Sequence, residues 1–232
     1  MSAPTVGRFG EALLTSRVPV LTEIKRRSAD GDDLFRGRTV AQLVREYEAL
    51  GAPALSAVTG SWFGGTPGLL DEVVAATGLP VLVKDFLTKE RQLADVAARG
   101  ASAALLTATV LPKSVLPRLI ESCLEHGLTP FVEVSDEREA AAVVHGERCV
   151  VAVNNKDIRR RERGPEGPER SHALLPAVLA TGTPVPVSAS GIRTPEEARG
   201  LLGAGYRALL IGTGLLLADD VPGWAAELEG AR

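Results

Sequence analysis

The chain has 232 residues, of which 45% are hydrophobic and 24% charged, and this length allows one domain with a large core or two small ones. The 26 basic and 29 acidic residues give a net charge of −3, which argues against a surface that coats nucleic acid. No apolar run approaches the roughly 18–20 residues that span a bilayer, and the two cysteines, Cys123 and Cys149, make neither a disulfide framework nor a zinc site. We therefore expect a cytoplasmic protein with neither a nucleic-acid nor a membrane partner.

Eight short apolar runs recur along the chain and alternate with amphipathic stretches. The runs are mostly continuous and do not alternate with polar residues, a pattern typical of parallel strands buried on both faces. The predicted strands are PVLTEIK (19–25), ALSAVT (54–59), PVLVKDF (80–86), AALLTA (103–108), PFVEV (130–134), CVVAVNN (149–155), PVPVSAS (184–190) and ALLIGTG (208–214).

Helical patterns lie between these runs, and most of them end in glycine, which readily terminates a helix in a left-handed conformation. The predicted helices are 39–51, 69–78, 89–100, 113–127, 137–146 and 195–205. We expect caps at Thr88, at Ser135 or Asp136, and at Thr194, which is followed by Pro195 at the first helical position.

The alternation of eight strands with helices predicts an α/β fold, a (β/α)8 barrel formed by a single domain over residues 1–232. Residues 1–17 or so would form a short N-terminal extension. An open doubly wound sheet is the alternative, but its first strand would usually lead into a Gly-rich turn, and here KRRSADGDD (25–33) follows. The polar stretch at 158–172 predicts a long loop after the sixth strand.

Polar side chains end most of the predicted strands, and barrel active sites lie at the C-terminal ends of strands. Glu23 and Lys25 point the same way because strand side chains alternate between faces. The candidates from the strand ends are Glu23, Lys25, Thr59, Lys84, Asp85, Thr107, Glu133, Asn154, Asn155, Ser188, Ser190 and Gly212. Two lysines, two glutamates and an amide at one mouth predict general acid–base chemistry.

Each of these side chains also has a purely structural interpretation. Lys84 could extend its ammonium group into solvent, Glu133 could cap the next helix, and Asn154 with Asn155 could form a plain turn. Their joint occurrence at the same position of each strand–helix unit favours a common site over these separate explanations.

Small glycine-containing turns follow the seventh and eighth predicted strands, in SASGIRTPEEARG (188–200) and LLIGTGLLL (209–217). Each leads toward a helix start, where free backbone N–H groups and the helix dipole favour a phosphate group. The alternative is that these glycines only permit tight turns. The pattern predicts that a phosphorylated small molecule binds here. No Lys-Ser or Lys-Thr pair of a nucleotide-binding loop follows, so a nucleotide is not implied.

The motifs TEIKRRS, SWFGG, VLVKDF, FVEV, VNNKD, SASGI and IGTGLL occur in this order, and with them the chain resembles the indole-3-glycerol phosphate synthase family from about residue 18 to residue 218. The resemblance implies a carboxy-lyase of tryptophan biosynthesis that uses no metal or organic cofactor. The implied reaction closes the indole ring of 1-(2-carboxyphenylamino)-1-deoxyribulose 5-phosphate with loss of carbon dioxide and water.

The resemblance also implies a role for each matching residue. Lys84 matches the general acid that protonates the ketone, Glu133 the carboxylate that assists dehydration, and Lys25 the lysine near the substrate carboxylate and the leaving hydroxyl. Glu23 and Asn154 match groups that orient the substrate and the lysines. The implied phosphate site is Ser190, Gly191, Gly212 and Thr213, and the other implied substrate contacts are Ser28, Phe63, Phe86, Lys156 and Ala189.

The chain departs from the family pattern at several of these contacts. SADGDD (28–33) replaces SPSKG, so acids stand where a basic loop residue is expected, and Ala189 replaces a glutamate expected at the substrate hydroxyls. Lys156 replaces an arginine and lacks its bidentate fork. The segment before the first strand is short, and we expect no family-type helix from it over the barrel mouth.

Three hypotheses remain open at this point. The first is the synthase itself, including a second copy that serves a specialised pathway. The second is a related phosphate-binding barrel enzyme that acts on a modified substrate. The third is a barrel that binds a phosphorylated ligand without catalysis, against which the joint presence of the five acid–base residues argues. We favour a monomer, although the sequence does not specify the oligomeric state.

Overall fold

The computed structural model describes residues 6–156, 167–218 and 221–228. Eight parallel strands form a closed barrel in which neighbours in sequence pair in order and the last strand pairs with the first. The strands are β1 (Val20–Ile24), β2 (Leu55–Val58), β3 (Val81–Lys84), β4 (Ala103–Thr107), β5 (Thr129–Val134), β6 (Val150–Asn154), β7 (Val185–Ala189) and β8 (Ala208–Ile211). The predicted (β/α)8 barrel is therefore confirmed, and the open doubly wound sheet is excluded.

Most of the helices surround the barrel and bury an apolar face against the outside of the strands. The helices in the described part of the chain are α1 (Gly7–Thr15), α2 (Val40–Ala49), α3 (Pro67–Ala76), α4 (Glu90–Ala98), α5 (Leu116–Glu125), α6 (Glu137–Ala140), α7 (Glu169–Ala180), α8 (Pro195–Ala204), α9 (Thr213–Leu217) and α10 (Val221–Leu228). None of these described helices is both long and apolar enough to cross a membrane.

Two of the predicted helix caps are confirmed and one is wrong. Asp136 and Thr194 each accept a hydrogen bond from the backbone N–H three residues later. Thr88 does not cap α4, because the side chain of Gln92 accepts the N–H groups of both Thr88 and Lys89 and satisfies the start of that helix instead.

Two predicted segments differ from the structure. The helix expected over 137–146 ends at Ala140, and the chain then turns, with His145 in a left-handed conformation at φ 52°. The β-branched pair at 143–144 disfavours a longer helix. The loop predicted over 158–172 extends too far, because α7 already begins at Glu169. The part of this prediction at 158–166 lies outside the described residues.

The first helix closes the end of the barrel opposite the mouth. Phe9 and Leu13 are fully buried in the apolar cluster that fills the barrel interior, and the Phe9 ring meets Phe131 edge-on at 6.3 Å between centroids. Thr129, the first residue of β5, donates a hydrogen bond to the carbonyl oxygen of Val6. The segment before β1 thus forms a helix, but this helix covers the N-terminal ends of the strands.

Candidate active site

A buried ion cluster joins β1 to β3 at the mouth of the barrel. The Glu23 carboxylate lies 2.9 Å from the ammonium nitrogen of Lys25 through Oε1 and 3.3 Å from that of Lys84 through Oε2. All three residues are buried, Glu23 with only 2% of its surface exposed. Buried charges are tolerated when they pair with each other, and here one carboxylate holds two cations side by side.

The charge state of Glu23 follows from these neighbours. Burial by itself would raise its pKa, but the nearby charges and hydrogen bonds of Lys25 and Lys84 outweigh burial and hold the pKa at about 2, below the ordinary value of 4.5. Glu23 is therefore an anion throughout the neutral range, and it holds the two ammonium groups in fixed positions.

This low pKa predicts a pH dependence of folding stability. Between about pH 2 and 4.5 the unfolded chain binds the proton at Glu23 more tightly than the folded chain. The contribution of Glu23 to stability therefore falls as the pH falls through this window and is constant above it. The loss should be on the order of 1–3 kcal/mol. Denaturant unfolding of the wild type and of Glu23→Gln across this window measures it.

The variant should show a flatter dependence of unfolding free energy on pH than the wild type. Glu72→Gln is the matched control, because Glu72 makes only a 3.6 Å surface contact with Arg26. Equal slopes in Glu23→Gln and the wild type would contradict the assigned charge state.

A second buried pair lies across the mouth, where β5 and β6 end. Asn154 Nδ2 donates to Glu133 Oε1 at 2.8 Å, and Asn154 Oδ1 accepts the backbone N–H of Lys156 at 2.9 Å. Both side chains are almost fully buried. These two bonds fix which way the amide faces, so Asn154 presents a donor to the carboxylate and holds it in place.

Aromatic side chains flank the cations. The Lys25 ammonium lies 5.1 Å from the centroid of the Phe63 ring, and Trp62 meets Phe86 edge-on at 5.0 Å. A pocket of about 80 Å³ between these aromatic residues also has Lys84 in its wall. An aryl group next to a proton donor fits such a pocket.

Asp85 fixes the turn that carries Phe86. One carboxylate oxygen accepts the Thr59 hydroxyl at 3.0 Å, and the other accepts the backbone N–H of Phe86 at 2.8 Å. The strand-end residues Thr59 and Asp85 therefore hold the loops after β2 and β3 together, and Asp85 also lines the pocket between the aromatic residues.

A larger cavity of about 570 Å³ opens beside the ion cluster, toward β7 and β8. Its wall brings together most of the remaining predicted contacts, namely Ser28, Lys156, Ser190, Gly191, Gly212 and Thr213, next to Glu23 and Lys25. Ser190 and Gly191 both have positive φ, 66° and 68°, so the backbone after β7 turns sharply at this wall.

Ala189 is not brought to this cavity. Its side chain points into the barrel and is fully buried among interior apolar residues, next to Asn154 in the strand register. Ser28 reaches the cavity wall, where its hydroxyl donates to Asp32 at 2.9 Å and accepts the backbone N–H groups of Asp30 and Asp32.

Arg193 is a charged lining residue that was not singled out from the sequence, and it stands in the loop before α8. Asp30 and Asp32, from the acidic loop after β1 noted in the sequence, line the same wall. The signal for Arg193 was its place two residues after Gly191, in a turn already expected to hold phosphate. Within the described residues no cluster of three or more His, Cys, Asp or Glu could hold a metal ion.

Comparisons with known proteins agree with this geometry. A sequence model of the family described as "Indole-3-glycerol phosphate synthase" matches residues 2–228. An indole-3-glycerol phosphate synthase of Pyrococcus furiosus is 36% identical over 203 residues, 87% of this chain and 87% of that protein. Indole-3-glycerol phosphate synthase 2 of Streptomyces coelicolor is 36% identical over 220 residues, 94% of this chain and 83% of that protein. The chain therefore belongs to the indole-3-glycerol phosphate synthase family.

Proposed function

We propose that this chain catalyses the ring closure of 1-(2-carboxyphenylamino)-1-deoxyribulose 5-phosphate, with loss of carbon dioxide and water, in tryptophan biosynthesis. The observation that carries the proposal is the buried cluster in which Glu23 holds Lys25 and Lys84, facing the Glu133–Asn154 pair at the same mouth. Proton transfer and positioning are all that this reaction requires of a protein.

The first step joins two parts of one substrate. The ring carbon that bears the carboxylate attacks the ketone carbon, and the carbonyl electrons move to oxygen, which takes a proton from the Lys84 ammonium. Glu23 supports this step because its fixed negative charge keeps the ammonium in place at 3.3 Å. The bond to the carboxylate then breaks, carbon dioxide leaves, and its electron pair returns to the ring system.

The last step removes water. The new hydroxyl leaves with a proton from Lys25, while Glu133 accepts a proton from the substrate as the double bond of the indole forms. Asn154 keeps Glu133 oriented through its 2.8 Å hydrogen bond. Lys84, Lys25 and Glu133 thus have separate tasks in the reaction. Neither step requires a redox group.

The phosphate would occupy the 570 Å³ cavity. The backbone turns at Ser190–Gly191 and Gly212–Thr213 border this cavity, and Arg193 adds a cation at the rim. The Ser190 N–H itself donates to the Leu210 carbonyl oxygen at 3.2 Å. Asp30 and Asp32 line the same cavity and repel an anion, which supports the alternative that the enzyme prefers a modified substrate.

Turnover tests the proposal and separates the alternatives. The purified protein is incubated with the standard substrate, and indole absorbance and carbon dioxide are followed together. One carbon dioxide per indole supports the proposed reaction. Tight binding without product favours a modified substrate. The absence of both binding and product would contradict the proposal.

We also propose a cytoplasmic monomer. Both cysteines are free thiols, and burial raises the pKa of each to about 12, so neither is poised for disulfide exchange. All proposed catalytic side chains come from one chain, so a second copy is not required. Light scattering of the purified protein measures the mass in solution.

Gly212 gives a prediction about the position of Glu23. A methyl group at Gly212 would lie 2.3 Å from Glu23 Oε1, the oxygen that pairs with Lys25. Glu23 Oε1 must shift to admit the methyl group, and this shift changes its 2.9 Å contact with Lys25, so Gly212→Ala should lower kcat/KM by about 10- to 100-fold while the fold is kept.

Gly200 provides the control for this variant. It lies on the exposed surface of α8, where a methyl group would have no atom within 4 Å, so Gly200→Ala should leave turnover unchanged. It should also stabilise the helix by about 0.5–1 kcal/mol. Unchanged turnover in Gly212→Ala would show that the position of Glu23 does not matter for the reaction.

A further inference from the structure

A buried polar network lies just behind the mouth, and Asn155 is at its centre. Asn154 and Asn155 are consecutive, so their side chains leave β6 on opposite sides: Asn154 faces Glu133, and Asn155 faces outward between the strands and the helices. Asn155 is only 5% exposed, and no step of the proposed reaction uses it.

The amide group of Asn155 holds the end of β7. Its Nδ2 donates to the Ser188 hydroxyl at 3.1 Å and to the carbonyl oxygen of Ser190 at 3.0 Å. Its own backbone N–H donates to the carbonyl oxygen of Ala189 at 2.9 Å. These three hydrogen bonds fix Ser188, Ala189 and Ser190, which lead into the Ser190–Gly191 turn at the wall of the larger cavity.

The other side of the amide is anchored to α7. Asn155 Oδ1 accepts the backbone N–H of Ser171 at 3.0 Å and its hydroxyl at 2.9 Å. Because a backbone N–H can only donate, the atom that faces it must be the oxygen, and the donor must therefore face Ser188 and Ser190. The hydroxyl groups of Ser171 and Ser188 lie 2.7 Å apart and close the ring of hydrogen bonds.

Ser190 needs such support because its backbone is in an unfavourable conformation. Its φ of 66° lies in the left-handed region, which non-glycine residues rarely adopt and which persists where the surroundings impose it. The bond from Asn155 to the Ser190 carbonyl oxygen is one such constraint.

We propose that Asn155 is a positioning residue that couples the two halves of the active site, setting the Ser190–Gly191 turn relative to the Asn154–Glu133 pair. The coupling acts through the backbone: Asn154 and Asn155 share one peptide, and Arg170 further ties the carbonyl oxygens of Asn154 and Lys156 at 2.7 and 3.0 Å. This inference rests on the proposed function, since it assigns the turn to the substrate phosphate.

Asn155→Ala tests the proposal, with Thr183→Val as its matched control. Thr183 joins the same two strands at their opposite ends, where its buried hydroxyl donates to the Cys149 carbonyl oxygen at 2.7 Å. Both variants lose buried hydrogen bonds at the ends of β6 and β7, but only Asn155 lies at the mouth. Asn155→Ala loses four side-chain hydrogen bonds, two of them to α7, and Thr183→Val loses two, so the exchange rates are compared after correction for each variant's measured free energy of unfolding.

The first readout is amide hydrogen exchange at Ser190 and Gly191, which does not depend on activity. In Asn155→Ala we expect exchange there to be at least about tenfold faster than in the wild type, with no such change in Thr183→Val. Equal exchange in both variants would overturn the proposal, whether or not the protein turns over the substrate.

The second readout is kinetic. Asn155→Ala should lower kcat/KM by about 10- to 100-fold and weaken inhibition by inorganic phosphate by a similar factor, whereas Thr183→Val should leave both near the wild-type values. Faster exchange with unchanged phosphate inhibition would overturn the coupling. Absence of turnover in the wild type would instead count against the proposed function, and the exchange result would still decide the role of Asn155.

Ser188→Ala is the alternative test variant if Asn155→Ala does not fold. It removes one acceptor of the Asn155 amide and leaves the bond to Ser190 in place. We expect a smaller acceleration of exchange at Ser190, about threefold, and a parallel weakening of phosphate inhibition. Exchange at Ser190 and inhibition by phosphate that both equal the wild-type values would overturn the proposal.

Discussion

Replacing Lys84 by methionine is expected to reduce kcat by about 10²- to 10⁴-fold, the usual contribution of a positioned general acid. Methionine keeps the unbranched shape of the lysine stem but cannot give a proton to the ketone oxygen. The loss should fall on kcat more than on KM, because the phosphate and aryl ends of the substrate have other contacts.

The Lys84→Met variant should stay folded. Removing one partner of a buried ion pair costs about 3–5 kcal/mol when the remaining charge has no other partner. Here Glu23 keeps Lys25 at 2.9 Å, so the cost should be smaller. Circular dichroism and denaturant unfolding would verify this before the kinetics are interpreted.

Lys89→Met is the control, because Lys89 is an exposed lysine at the start of α4. It should turn over substrate at the wild-type rate. A folded Lys84→Met protein whose kcat stays within about twofold of the wild type would remove Lys84 from the mechanism.

Replacing Glu133 by glutamine should also lower indole formation by about 10²- to 10⁴-fold, but at a later step. Glutamine keeps an oxygen that can accept the Asn154 hydrogen bond, so stability should change little. It cannot take up a proton, so dehydration should slow while ring closure and decarboxylation continue.

A single-turnover experiment distinguishes this step from the first one. Excess Glu133→Gln enzyme is mixed with substrate, and carbon dioxide and indole are measured over time. We expect carbon dioxide to appear well before indole, whereas Lys84→Met should slow both together. Glu137→Gln, an exposed glutamate on α6, should behave like the wild type. Simultaneous release of both products by Glu133→Gln at the wild-type rate would rule out its proposed role.

Much of the fold and of the ion cluster could be predicted from the sequence. Continuous apolar runs specified all eight strands, and polar residues at the ends of parallel strands converge by geometry on one mouth. Glu23, Lys25 and Lys84 therefore meet as expected, and Asn154 reaches Glu133 from the neighbouring strand.

The remaining features depend on tertiary packing that no local pattern shows. Ala189 is one residue before Ser190, yet it is sealed inside the barrel while Ser190 lines the cavity, because the chain turns between them. The proposed role of Asn155 depends on its bonds to Ser171, which lies sixteen residues later on α7. The start of α7 was predicted to be part of a loop because the sequence there is polar. The first helix packs at the N-terminal ends of the strands because Phe9 contacts Phe131 in the barrel interior.

The decisive experiment for the proposed active site is a crystal structure with a substrate analogue in which the ketone is reduced to a hydroxyl. We expect the Lys84 ammonium within about 3.2 Å of that hydroxyl, the phosphate against Ser190–Gly191 and Gly212–Thr213, and the aryl ring next to Phe86. An analogue bound with its phosphate outside this cavity, or with Lys84 beyond reach of the hydroxyl, would rule out the proposed active site.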